Sequence, residues 1–117
     1  MRYVLLICVD QDDASSGAEG LELEFAAFQD ELEPRGVVKD HVRLRPTSFA
    51  TTVRMRDHQM VVADGPFAET REQLGGYCLI DALNLDEAIA IAEKIPGVQW
   101  GTIEIRPVME IPGLPKS

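Results

Sequence analysis

Tyr3-Val4-Leu5-Leu6-Ile7-Cys8-Val9 is an unbroken apolar run ended by Asp10. Its length and aliphatic composition read as a strand. Alternate side chains of a strand point to opposite sides, so Tyr3, Leu5, Ile7 and Val9 share one face and Val4, Leu6 and Cys8 the other. Both sets are apolar, which places this strand in the middle of a sheet covered on both faces. Tyr77-Cys78-Leu79-Ile80-Asp81-Ala82 is a second run apolar on nearly both sides.

The segments around these two runs supply the remaining elements. Leu21, Phe25, Phe28 and Leu32 step by four, three and four, the spacing of an amphipathic helix that ends near Pro34-Arg35-Gly36. Its two Phe residues read as core anchors. Val37 to Leu44 reads as a strand, with His41 and Arg43 on one face and Val42 and Leu44 on the other. Thr51 to Met55 and Gln59 to Ala63 form a hairpin around Arg56-Asp57-His58, with His58 solvated and the first arm at an exposed edge.

Asn84 is placed to cap a second helix, with Glu87 three residues on and Leu83 and Ala88 as flanking staple positions. The predicted buried stripe is Leu85, Ala88, Ile89, Ala92 and Ile95, stopped by Pro96-Gly97. The final strand, Gly101 to Val108, has Ile103 and Ile105 on one side and Thr102, Glu104 and Arg106 on the other, a pattern suited to a sheet edge. Without the hairpin the order is βαββαβ, an α+β, ferredoxin-like arrangement. Its helices cover one face of the sheet, so a second copy of the chain is expected on the other. Residues 1–110 then make one domain and 111–117 a tail.

With 117 residues the chain is long enough for one core. A net charge of −9 argues against a nucleic-acid partner, because phosphate binding relies on clustered Lys and Arg. No stretch is long enough to span a membrane, and the short N-terminal apolar run lacks the features of a signal peptide. Cys8 and Cys78, each inside an apolar run, read as core residues with no disulfide, which suits a reducing, cytoplasmic setting. Asp10, Asp12 and Asp13 begin a polar loop whose spacing does not match a calcium loop. No metal-ligand set or cofactor motif is present in the sequence.

Between the hairpin and the second apolar run lies Asp64-Gly65-Pro66-Phe67-Ala68-Glu69-Thr70-Arg71-Glu72-Gln73-Leu74-Gly75-Gly76. Gly65 before a proline suits a backbone that other residues avoid, and Pro66 fixes φ and sets a turn. Phe67 is then expected to plug the core, leaving the Asp64 carboxylate held at the end of a strand. Asp64 either serves chemistry or bonds the amides of its own turn. If Glu69-Thr70-Arg71-Glu72 is helical, Glu69 and Glu72 share a face. Gly75-Gly76 permits close approach to a packed neighbour or a ligand. His41, whose ordinary pKa is about 6.5, suits proton transfer if it stands near Asp64.

This signature resembles that of the YCII-related family, in particular its DGPF-domain branch. The likeness extends from Met1-Arg2-Tyr3-Val4-Leu5-Leu6-Ile7 to Ile105-Arg106-Pro107-Val108-Met109. It implies a dimeric α+β barrel built from homodimers. It also implies a site at the signature, where Asp64 matches the family motif; Asp64 and His41, the latter read from its own chemistry, are the candidate catalytic groups. Candidate ligand contacts are Gly65, Pro66, Phe67, Glu69, Thr70, Arg71 and Glu72, with Arg43 and Arg106 as further clamps for a carboxylate. Some family members are thought to use a His on the first helix; here Phe25 stands about where that His is expected.

Members of the family include a dehydrochlorinase of aromatic degradation. That suggests a cofactor-free lyase or isomerase acting on a small, anionic or carbonyl-bearing metabolite. The branch is also associated with sigma-factor genes, which suggests a non-catalytic dimeric sensor as the alternative. A packing motif with no site is the third reading.

Overall fold

The computed structural model describes residues 1–10, 26–96 and 101–112. The acidic loop beyond Asp10, the Leu21 and Phe25 end of the first helical stripe, Gly97 and residues 113–117 of the tail lie outside the described residues. In chain order the elements are β1 (Arg2–Asp10), a helix α1 over 26–32, β2 (Val38–Arg43), β3 (Thr51–Arg56), β4 (Gln59–Asp64), β5 (Glu72–Asp81), α2 (Leu85–Ala92) and β6 (Gly101–Pro107). Two single-turn 3-10 helices, Glu33–Arg35 and Thr47–Phe49, sit in the connections on either side of β2.

The architecture is α+β, with two helices and two antiparallel sheets among the described residues. The larger sheet has the order β2-β5-β1-β6, and β3 and β4 pair only with each other. The two strands with apolar residues on both faces, β1 and β5, are therefore the central pair. β6, half polar in sequence, is an edge. The β3–β4 turn is closed by Asp57 and His58, both at positive φ, as a two-residue hairpin loop requires.

One face of the large sheet carries the core. Tyr3, Leu5, Ile7, Cys78 and Ile80 are buried there against Phe28 and Leu32 of α1 and Ala88, Ile91 and Ala92 of α2. Asn84 caps α2 by accepting from the Glu87 backbone N–H at 3.0 Å, as its position in the sequence predicts. The buried stripe of α2 differs from the expected one. Ile91 is buried in place of Leu85 and Ile89, which are 51% and 40% exposed, and Leu83 is 82% exposed and forms no staple. Apolar spacing alone allows two neighbouring stripes on so short a helix, and docking on the sheet selects the one centred on Ala88 and Ile91.

Expectations for the signature are also corrected. β5 begins at Glu72, five residues before the apolar run, so Glu72 is extended and residues 69–72 form no helical turn. Gly75 and Gly76 lie within β5. A Cβ on Gly76 would come within 2.6 Å of the Val42 carbonyl oxygen, so its role is close packing of β5 on β2. Leu44 N–H donates to Gly75 O at 2.9 Å and prolongs the β2–β5 pairing into the connection.

A bulge between Ile7 and Cys8 determines what the other face presents. Ile7 pairs with Gly76, but Cys8 pairs with Leu74, so Gly75 is an extra residue on β5. One extra residue reverses the alternation of what precedes it. Leu74 and Glu72 are thereby turned to the face that carries Cys8, away from the helices.

Candidate functional site

The face of the sheet opposite the helices carries Val4, Leu6 and Cys8 of β1, Tyr77 and Leu79 of β5 and Val42 of β2, all half-buried. Toward the signature end this face opens into a cavity of about 760 Å³. Three parts of the chain build its walls. The sheet contributes Cys8, Glu72 and Leu74. The β2–β3 connection contributes Leu44, Arg45, Thr47 and Phe49, and the signature loop contributes Pro66, Phe67, Ala68 and Thr70. The lining is mainly apolar, with a few polar groups, the composition typical of small-molecule sites.

The signature loop is held in place by its own polar groups. Gly65 adopts φ 102°, a backbone region that favours glycine, and its N–H donates to Ala50 O at 2.8 Å. Its carbonyl accepts from the Thr52 hydroxyl. Gln73 Nε2 donates to Ala68 O at 2.7 Å and to Thr70 O at 3.0 Å, and the Thr70 hydroxyl donates to Glu72 O at 2.7 Å. The loop is thus tied to β3 at one end and to β5 at the other. Gln73 was passed over in the sequence because its function is to hold backbone carbonyls, for which no motif exists.

Of the residues the sequence singled out, Pro66, Phe67, Thr70 and Glu72 line the cavity. Phe67 does not plug the core: it is 83% exposed, with the Arg54 guanidinium 6.0 Å from its ring centre. Gly65 shapes the loop without lining the cavity. Glu69 is exposed, and Arg71 pairs with Asp10 at 3.1 Å. Asp64 ends β4, is exposed, and is not part of the cavity wall. Its carboxylate accepts no hydrogen bond from the amides of its turn among the described residues.

His41 lies on β2 in register with Cys78, whereas Asp64 ends β4 in the two-stranded sheet. Burial holds the His41 pKa below its ordinary value; Arg43 lowers it further and Asp40 opposes the shift. Arg43 is exposed, and Arg106 lies 3.9 Å from Glu104 on the edge strand β6. Neither lines the cavity.

Other lining residues, Cys8, Arg45 and Phe49 among them, were not assigned to a site by the sequence reading. Cys8 was expected in the core; it is half-buried in the cavity wall, while Cys78 alone is fully buried. Burial raises the Cys8 pKa, and the charges of Glu104 and Glu72 raise it further, so its thiol stays protonated and is a poor nucleophile. Arg45 lies in the connection after β2, its guanidinium 3.8 Å over the Phe49 ring. An Arg-Pro followed three residues on by Phe is a faint signal, and nothing in it points to a cavity across the sheet. Among the described residues no cluster of three His, Cys, Asp or Glu side chains is placed to hold a metal, and no helix is long and apolar enough to cross a membrane.

The chain belongs to the YCII-related family, whose model matches residues 1–112. It is 35% identical over 114 residues to the uncharacterised protein R00369 of Rhizobium meliloti (strain 1021), an alignment covering 92% of each chain. Its fold is similar to that of 5-chloro-2-hydroxyhydroquinone dehydrochlorinase (TftG) from Burkholderia phenoliruptrix AC1100, solved in complex with 2,5-dihydroxybenzoquinone. The TM-score is 0.52 at 13% identity, over 93% of this chain and 94% of that one.

Proposed function

We propose that this protein binds a small, largely apolar molecule in the cavity between the signature loop and the β2–β3 connection. The cavity itself carries this reading: about 760 Å³, apolar for the most part, closed by a loop whose backbone is tied at both ends. Its size falls within the usual range for small-ligand sites. The neighbour of similar fold is a dehydrochlorinase in complex with a six-membered-ring quinone, and a ligand of that size fits such a volume.

Acid–base chemistry of the lyase or isomerase kind, without a cofactor, is the activity this site best accommodates. Asp64 is two residues from Pro66 in the cavity wall, and it approaches the ligand only if the exposed turn folds inward or a second protomer completes the mouth. The half-buried apolar side chains of Val4, Leu6 and Leu79 support closure of the open face by a second copy. The exposed Val53, Met60 and Val62 of the hairpin support it as well. Two ferredoxin-like sheets joined in this way make a dimeric α+β barrel.

A thermal-shift screen of small metabolites against the wild type, Ala68→Trp and Asp64→Asn tests this reading. A ligand of the site raises the wild-type Tm by several degrees and fails to raise that of Ala68→Trp, whose indole fills the cavity. A ligand turned over by Asp64 still stabilises Asp64→Asn, and its conversion is lost. Equal stabilisation of wild type and Ala68→Trp by every hit would rule the cavity out.

A further inference from the structure

Resting on the cavity as the binding site, we infer that it selects ligands bearing two functions on one flat apolar body. One is a hydroxyl that donates to Glu72, and the other is an anionic group that meets Arg45. These two residues are the only charged members of the lining among the described residues, and they come from different walls. Glu72 is on β5 in the floor, and Arg45 is in the connection that forms one side.

Each of the two has a fixed orientation and spare binding capacity. Glu72 Oε1 accepts from the Thr102 hydroxyl at 2.7 Å, which anchors the carboxylate, and Oε2 takes no hydrogen bond among the described residues. The bulge at Ile7 and Cys8 turns this side chain toward the cavity, although plain alternation would send it under the helices. Arg45 sits over the Phe49 ring and makes no ion pair among the described residues. Guanidinium stacked on a ring keeps its N–H edge available for a planar anion. The apolar walls of the same cavity include Leu44, Phe49, Pro66, Phe67 and Leu74, which suit a flat ring. The carboxylate rejects an anion at its own end, so the ligand's orientation is set as well as its class.

The test is an amide-resolved NMR titration of the full chain with 4-hydroxybenzoate, benzoate and phenol. With the wild type, 4-hydroxybenzoate should shift the amides of residues 67–74 and bind about tenfold or more tighter than either single-function probe, as loss of a charge-assisted hydrogen bond implies. Glu72→Gln should weaken 4-hydroxybenzoate toward the benzoate level and leave benzoate unchanged. Arg45→Met should weaken it toward the phenol level and leave phenol unchanged. Thr102→Val, which frees the carboxylate without removing it, should cause a smaller loss and serves as the check if Glu72→Gln folds poorly. Equal affinity for all three probes, or a loss in each variant that is the same for all three, would overturn the inference. If the probes shift these amides independently of Glu72 and Arg45, the inference falls and the cavity reading survives. If no probe shifts any lining amide, both fall.

Discussion

The two faces of the four-stranded sheet are built from the same two central strands and from equally apolar residues, yet they differ in what covers them. On one, Leu5, Cys78 and Ile80 are wholly buried beneath two helices. On the other, Leu6, Cys8 and Leu79 are half-buried, and part of that face opens as the cavity. The cysteines report the contrast: burial, with a contribution from Asp40, pushes the Cys78 thiol up to about 12, whereas Cys8 is raised by burial together with the carboxylates of Glu104 and Glu72. Apolar composition makes a face buriable. Whether it becomes core or site depends on which elements arrive to cover it.

The largest effect that separates the faces is thiol accessibility. A small alkylating reagent followed by peptide mapping should modify Cys8 about 1000-fold or more faster than Cys78, which reacts only through an opening that costs several kcal/mol. Equal rates would mean that the two faces are equally closed. Leu5→Ala comes next and should destabilise by about 2–5 kcal/mol in urea unfolding at any protein concentration, the cost of a cavity in packed core. If the proposed second copy covers the other face, Leu6→Ala, one residue away, should cost less in dilute solution and more as concentration rises, since that cover is present only on assembly. A concentration-independent cost would count against the dimer.

The smallest effect concerns pH. Folded His41 binds its proton less readily than an unfolded histidine, so below the ordinary histidine value of about 6.5 the unfolded chain takes up more protons. Stability is therefore retained above that pH and declines as pH falls toward the folded pKa. His41→Gln should flatten this part of the stability–pH profile measured by thermal unfolding. An unchanged slope would mean that His41 is as free to charge in the folded state as in the unfolded one.

Much of the fold was legible because it depends on local periodicity and end signals. The alternation in β1 and around Tyr77, the cap at Asn84 and the tight hairpin at Asp57 and His58 each act over a few residues, and each is found as expected. The signature was correctly marked as a turn of unusual backbone at Gly65, and four of the residues singled out within it, Pro66, Phe67, Thr70 and Glu72, line the cavity. The roles within it were less legible. Phe67 looked like a plug because a large aromatic usually is one, and Asp64 looked like the cavity's acid because it heads the motif. The acid in the wall is Glu72, placed there by pairing with a strand more than sixty residues earlier in the chain.

Spacing along the chain, then, was enough to name the strands, place β1 and β5 at the centre of the sheet and foresee that helices would leave one side bare. It could do so because those properties come from each segment's own side-chain period. Tertiary structure alone decided which side received Glu72 and Leu74, since a single unpaired residue at Gly75 reverses their direction and exists only once β5 meets β1. It also brought Arg45 and the signature loop over that side, because a cavity wall depends on contacts between segments that carry no sign of one another.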